Sequence, residues 1–432
     1  MSLDQAGSLR FHSIGEPIAG DLPTFHFDVW PTGQLSKLPA PQQPFGLDVG
    51  TRFTDEGLKE LGSLKQLHSL ALHGSNVTEK GIADLALLKQ LQALGIAGIR
   101  VSDKELKELT ALSQLESLDL SETLVTDDGL SPLADLKHLH AINLRKTIIT
   151  DKGLKHLAGL NQLVAIYITK TPVTDAGMKE LGRMRQLQSL DLGDAEVTDA
   201  GLKELAGLNQ LESLGLHNTY VLDQGLKELT GLKQLRSLDL TKTRVTDVGL
   251  KELAGLTKLT TLSLAATLVT NNGLKELGNL KELQSLSLWN TKVADAGLKD
   301  LAGLKQLRVL SLGDTQVTDA GLKDLVQLKQ LRTLSLDGTK ITGIGLKDLA
   351  DLKQLDWLDL SYTEVAGVGL KNLIDLKQLR TLTLTGSKMT DMGLRELTGL
   401  RQLLTLDLFF TKVTKEGAAE LQKALPNCKV GR

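Results

Sequence analysis

Apolar and polar positions along this chain follow two alternating rhythms. In Leu331-x-x-Leu334-x-Leu336 the closing pair is two residues apart, the period of a short strand with one buried face. In Leu322-x-x-Leu325-x-x-Leu328 the spacing is three, which sets the leucines along one face of a short helix. Both rhythms fit once into the stretch Leu307 to Gln330, and after 24 residues the stretch begins again at Leu331. Fifteen such units run from Leu67 to one starting at Leu403, and the period never slips. Each predicts a strand, a turn, a short helix and a return loop. A unit this small cannot bury its own apolar face, so the pattern predicts one elongated domain in which neighbours share a continuous core.

The polar positions of the template carry their own expectations. Thr318-Asp319 before Gly321-Leu322 reads as a helix start, with the hydroxyl as cap and the acid near the positive end of the helix. Glycine recurs at one position from Gly57 to Gly417, and only Glu105 departs from it. That exception argues that the column serves close packing and not an obligatory positive φ. Threonine recurs three residues past the second strand leucine, as in Thr123, Thr315 and Thr339, with Ser75 and Ser387 as variants. Turned inward, these hydroxyls are expected to bond the backbone of the next unit, which predicts a weakened ladder where Ile99 and Ala195 replace them.

Residues 1–44 depart from the template and hold most of the prolines and four of the thirteen aromatics. Phe25, Phe27 and Val29 alternate with His26 and Asp28 as in a half-buried strand. An array needs its open end covered, so this segment is expected to cap it by packing Phe11, Phe25, Phe27 and Trp30 on the first unit; the alternative is a disordered lead with a linker at Pro39 to Pro44. A degenerate first unit follows at 45–66, one residue short before Thr51, then the array at 67–424 and a closing strand at 425–432.

Composition narrows the function classes. Aromatics make up 3% of the chain against 41% apolar residues, so the interior must be aliphatic. A net charge of −2 provides no global field to attract nucleic acid or an anionic membrane. Cys428 is the lone cysteine, and Met1 to Leu22 lacks the basic start and apolar run of a signal peptide. The expectation is a cytoplasmic monomer. His12, His26, His68, His73, His138, His140, His156 and His217 fall at no metal-ligand spacing and read as solvated surface. No phosphate loop or nucleophile elbow interrupts the repeat, so neither catalysis nor a cofactor is expected. Lysines from Lys155 to Lys371, ending in Arg395, alternate with acids such as Glu180 and Asp348 and read as a solvated helix face, with an anion-binding stripe as the sharper alternative.

The pattern Leu-x-x-Leu-x-Leu-x-x-Thr-x-Val, continued by Thr-Asp-x-Gly-Leu-x-x-Leu, resembles the leucine-rich repeat family over residues 45–430, with Thr where that family often has Asn or Cys. It is most similar to the helix-bearing subtypes of the ribonuclease inhibitor and the F-box-linked receptors, and to bacterial arrays of near-identical 24-residue units. Leu425-Pro-Asn-Cys428-Lys-Val430 resembles a shortened last strand with Cys428 as buried filling, and nothing in 1–44 resembles an F-box. The resemblance implies an α/β solenoid, a horseshoe with a parallel sheet on its concave face and short helices outside. Strands roughly 4.8 Å apart facing helices that need about 8 to 10 Å force that curvature.

Such scaffolds are united by shape more than by activity. What singles out a site is departure from the template. Within the repeats, aromatics avoid the leucine positions and gather toward the C-terminus as Trp289, Trp357, Tyr362, Phe409 and Phe410, with Asp337, Asp359 and Asp407 on the same predicted face. Exposed aromatics among small polar residues are the usual makeup of a binding hot spot. The expectation is a noncatalytic scaffold binding a protein or peptide there. The alternatives are a structural or surface-display repeat without a discrete ligand, and a weak carbohydrate or anion binder.

Overall fold

The computed structural model describes residues 2–3, 9–10, 22–30, 33 and 41–432. The chain divides into two compact units, Met1–Tyr220 and Val221–Arg432. Each is an α/β solenoid in which successive repeats add parallel strands to a sheet.

In the first unit the strand Thr24–Phe27 pairs with Phe45–Val49, and pairing continues one repeat at a time through Leu67–Ala71 to Ser213–Gly215. The missing residue before Thr51 shows as a register shift between Phe45 and Gly46, where one short repeat faces a full one. In the second unit pairing runs from Ser237–Asp239 to Lys429–Gly431, with leucine facing leucine as in Leu262↔Leu286.

At the N-terminus Trp30 is buried and meets Phe27 and Phe53 edge to face, with ring centroids 5.4 and 5.0 Å away. Phe25 differs from expectation: it leans on Phe45 but stays 47% exposed, and Phe11 lies outside the described residues. At the other end Cys428 is buried, and that burial, with the Asp407 charge adding, pushes its thiol above the ordinary range.

The helical segments are less regular than the leucine spacing predicts. Asp151–Leu157 and Asp247–Leu253 are two-turn α-helices, whereas Asp319–Gln327 is wound entirely as 3-10 helix. The spacing tolerates either winding, since Leu154-x-x-Leu157-x-x-Leu160 in an α-helical repeat matches Leu322-x-x-Leu325-x-x-Leu328. Leucines at i, i+3 and i+6 line up in one row at three residues per turn, while in an α-helix they drift around the axis. Thr318 caps this segment as expected, its hydroxyl accepting from the Ala320 N–H at 3.2 Å.

The inward threonines are satisfied differently from the expectation. Thr315 donates to the Leu312 carbonyl of its own repeat, as Thr123 does to Leu120 at 2.6 Å. The hydroxyl thus closes the local turn instead of reaching the next unit. Ile99 and Ala195 accordingly interrupt no ladder, since their own N–H groups reach the Ile96 and Leu192 carbonyls.

Ties between repeats come instead from the helix-start pair. Asp295 Oδ1 accepts the Thr318 N–H at 2.8 Å and Oδ2 accepts its hydroxyl at 2.7 Å; the same rung joins Asp151 to Thr174 and Asp391 to Thr414. This rung explains the glycine column. A Cβ on Gly321 would lie 2.5 Å from Asp295 Oδ1 and 2.9 Å from Leu298 Cδ1. At the exception the rung is rebuilt: Glu79 stands in place of Asp, and Glu105 turns back to accept from the Ser102 N–H and hydroxyl. Where Gly343 and Ala366 replace the pair the rung is gone, and Gly343, Gly367 and Gly369 all adopt positive φ. At Gly369 alone of the glycine column, therefore, conformation and not only packing calls for the missing side chain.

Candidate interaction face

Each strand buries its central residue and turns the two flanking residues away from the helices. In the second unit one outward column reads Thr261, Ser285, Val309, Thr333, Trp357, Thr381 and Thr405, and the next reads Ser263, Ser287, Ser311, Ser335, Asp359, Thr383 and Asp407. Trp357 is half-buried between Thr333 and Thr381, the one aromatic in a row of hydroxyl and small apolar residues. Asp359 follows on the same strand, and its Oδ1 accepts the Ser361 N–H at 2.9 Å, which orients the carboxylate along the turn.

The remaining candidates fall into separate places. Trp289 and Asp337 occupy a third column, just beyond the buried second leucine, and converge on Gly313: a Cβ there would lie 2.7 Å from Trp289 Cδ1 and would also strike the Asp337 carboxylate. Glycine lets the indole lie on the backbone. Asp337 also accepts the Ser335 hydroxyl. Phe409 and Asp407 converge in the same way on Gly431 in the last strand. Trp289 and Trp357 are thus not one cluster, since they sit in different columns three strands apart.

Tyr362 and Phe410 stand in the turn that follows the strand, where the chain turns left-handed, with φ of 55° and 57°. Asn290 and Asp314 hold the equivalent positions with φ of 51° and 50°, side chains that tolerate this region better. The continuing ladder enforces the turn, because the Tyr362 N–H donates to Thr385 O at 2.7 Å. The Tyr362 ring covers Gly386, while Phe410 is 85% exposed.

Two groups escape the template reading. His217, in the first unit, is not simply solvated: its ring lies over Gly193 with Nδ1 3.8 Å from Asp191 Oδ1 and Nε2 3.5 Å from Asp194 Oδ2. Among the described residues no set of three His, Cys, Asp or Glu side chains is placed to hold a metal ion. In the second unit the residue before the strand is arginine at four of eight repeats, Arg236, Arg308, Arg332 and Arg380, exposed or half-buried at the border of the open face, with Thr260, Gln284, Asp356 and Leu404 at the others. The signal was present as the recurring Leu-Lys-Gln-Leu-Arg, but a template search treats that arginine as one more variable position.

Comparison with known proteins agrees with this geometry. Leucine-rich repeat models match residues 305–365 and, separately, 112–134, 184–206 and 233–254. A leucine-rich repeat protein of Leptospira interrogans shares 25% identity at a TM-score of 0.62, over 89% of this chain and 95% of that one. An internalin of Listeria monocytogenes shares 24% at a TM-score of 0.55, over 82% and 88%. The fold also matches TLR13 in its ssRNA13 complex, at 17% identity and a TM-score of 0.56, over 92% and 64%. No curated protein matches the chain. Strand-forming leucines repeated every 24 residues, parallel pairing in register, and these matches identify the repeats of this chain as leucine-rich repeats.

Proposed function

We propose that this protein is a noncatalytic interaction scaffold, and that the open face of its second unit, centred on Trp357, binds a protein or peptide. Leucine-rich repeat folds generally serve as protein-interaction scaffolds, which supports the class. The observation that carries the location is Trp357 itself: a large ring held half-buried on a regular strand, amid hydroxyls that need no desolvated partner of their own. A rigid aromatic with an adjacent oriented carboxylate, Asp359, suits the centre of an interface. Trp289 with Asp337 and Phe409 with Asp407 lie farther along the same unit and extend the surface, and Tyr362 and Phe410 border it at the turns.

The compartment that goes with this reading is the cytoplasm, where the buried thiol of Cys428 stays reduced. Among the described residues no helix is long and apolar enough to cross a membrane.

The test is partner capture with the full chain, comparing wild type with Trp357→Ala and with Trp289→Ala. Loss of a partner with Trp357→Ala, in a protein that still unfolds at the wild-type midpoint, is the expected result. Equal retention by both variants refutes the location, and capture of nothing by wild type favours the display reading.

A further inference from the structure

The strand-start edge of the second unit is more basic than the fold requires. In the segments 281–284, 305–308, 329–332, 353–356, 377–380 and 401–404 the cations are Lys281, Lys305, Arg308, Lys329, Arg332, Lys353, Lys377, Arg380 and Arg401, against Glu282 and Asp356. Adding Asp351 and Asp375 from the preceding turns leaves nine cations to four acids, in a chain whose net charge is −2. The template does not demand this. At the position of Arg308, the first unit carries His68, Gln92, Glu116, His140, Val164, Gln188 and Glu212 with the same strand and turn.

Nor does the structure neutralise the excess. Lys377 Nζ donates to the Ile374 carbonyl at 2.8 Å, Arg380 Nη1 to the Gln402 carbonyl at 3.0 Å and Lys305 Nζ to Gln327 Oε1 at 3.2 Å, all uncharged acceptors. Lys329 meets Asp351 at 3.6 Å, and both side chains are more than half exposed, so the pair is weak. Among the described residues no carboxylate pairs with Arg308 or Arg332. The row also borders the proposed binding face directly, because the Arg332 carbonyl accepts the Trp357 N–H at 3.0 Å.

We propose, building on the interaction reading above, that the partner is an acidic peptide segment, whose carboxylates lie on Arg308 and Arg332 and, past Asp356, on Arg380, while an apolar residue rests on Trp357. A cationic row beside an apolar anchor steers such a segment and fixes its register. The same surface is poorly suited to nucleic acid. Trp357 alone beside the row does not make the succession of rings on which bases stack.

Fluorescence anisotropy on the full chain decides it. The probes are a labelled glutamate-rich peptide with one central leucine, the same peptide with lysine for glutamate, and a labelled oligouridine. The glutamate peptide should bind, weaken with salt, and lose about tenfold in affinity in the variant R308Q/R332Q/R380Q, checked for a native melt. The helix-face variant K299Q/K323Q/K347Q should stay within about twofold of wild type. Equal loss in both triple variants, tighter binding of oligouridine than of the glutamate peptide, or preference for the lysine peptide overturns the proposal. If a captured partner needs Trp357 yet ignores the arginine variant, the acidic assignment fails while the binding face stands.

Discussion

The coupling between aspartate and glycine across adjacent repeats can be tested quantitatively with the pair Asp295 and Gly321. In Gly321→Ala the new methyl would sit 2.5 Å from Asp295 Oδ1, 2.9 Å from Leu298 Cδ1 and 3.1 Å from Asp295 Cα. Relieving that contact means rotating the carboxylate off Thr318, at a cost of about 1 to 3 kcal/mol from overpacking. Alanine returns up to about 1 kcal/mol of helical preference over glycine, so a net loss of roughly 1 to 2 kcal/mol is expected. Asp295→Ala alone removes both acceptors of Thr318 and should cost about 1.5 to 3 kcal/mol. In the double variant the clash has no partner, so the two losses should fall short of their sum by about 1 to 2 kcal/mol. Urea unfolding of the four proteins, with hydrogen exchange on the segment 295–325, reads the cycle. Strict additivity would refute the account of the glycine column. The natural Glu79 and Glu105 arrangement, in which aspartate and glycine are replaced together, is what this coupling leads one to expect.

Four further outcomes follow from the same structure. Leu262→Ala, at a strand leucine only 1% exposed, should cost about 2 to 5 kcal/mol and open its repeat to protease; an unchanged urea midpoint would contradict the shared core. Thr315→Val should cost about 0.5 to 1.5 kcal/mol by removing the donor to Leu312 O. Ser387→Ala, where the buried hydroxyl has no partner, should be neutral or stabilising, and a larger loss there than at Thr315 would reverse the reading of the threonine column. His26 places Nδ1 3.1 Å from Asp48 and Nε2 3.0 Å from Asp28, and these two acceptors raise its pKa above 6.5. The raised value means that its contribution is complete below the unfolded pKa and fades as pH climbs through the folded one, so the protection factor over residues 24–27, exchange corrected for its intrinsic pH dependence, should fall as pH rises past the unfolded value. His26→Gln should abolish that dependence, and an unaltered profile would show the two contacts to be inert.

The sequence by itself determined which residues go inside and which face out. A strict 24-residue period of leucines has one parallel stacking that buries them all, so the strands, their register and the outward columns bearing Trp357, Asp359 and Asp407 were legible without coordinates. So was the need to relieve crowding at the glycine column. Tertiary structure alone decided which atoms meet across repeats. A threonine hydroxyl three residues past a leucine can turn to its own carbonyl or to a neighbour's, and only the geometry of the turn selects its own. Asp295 reaches Thr318 and excludes a Cβ at Gly321 because adjacent repeats stack with one axial offset, a distance that no single-repeat pattern encodes. Trp289 and Trp357 look alike in composition, yet one closes over a glycine while the other stands in the strand row. One or two residues of phase along a strand decide whether a ring turns toward the face or toward its edge.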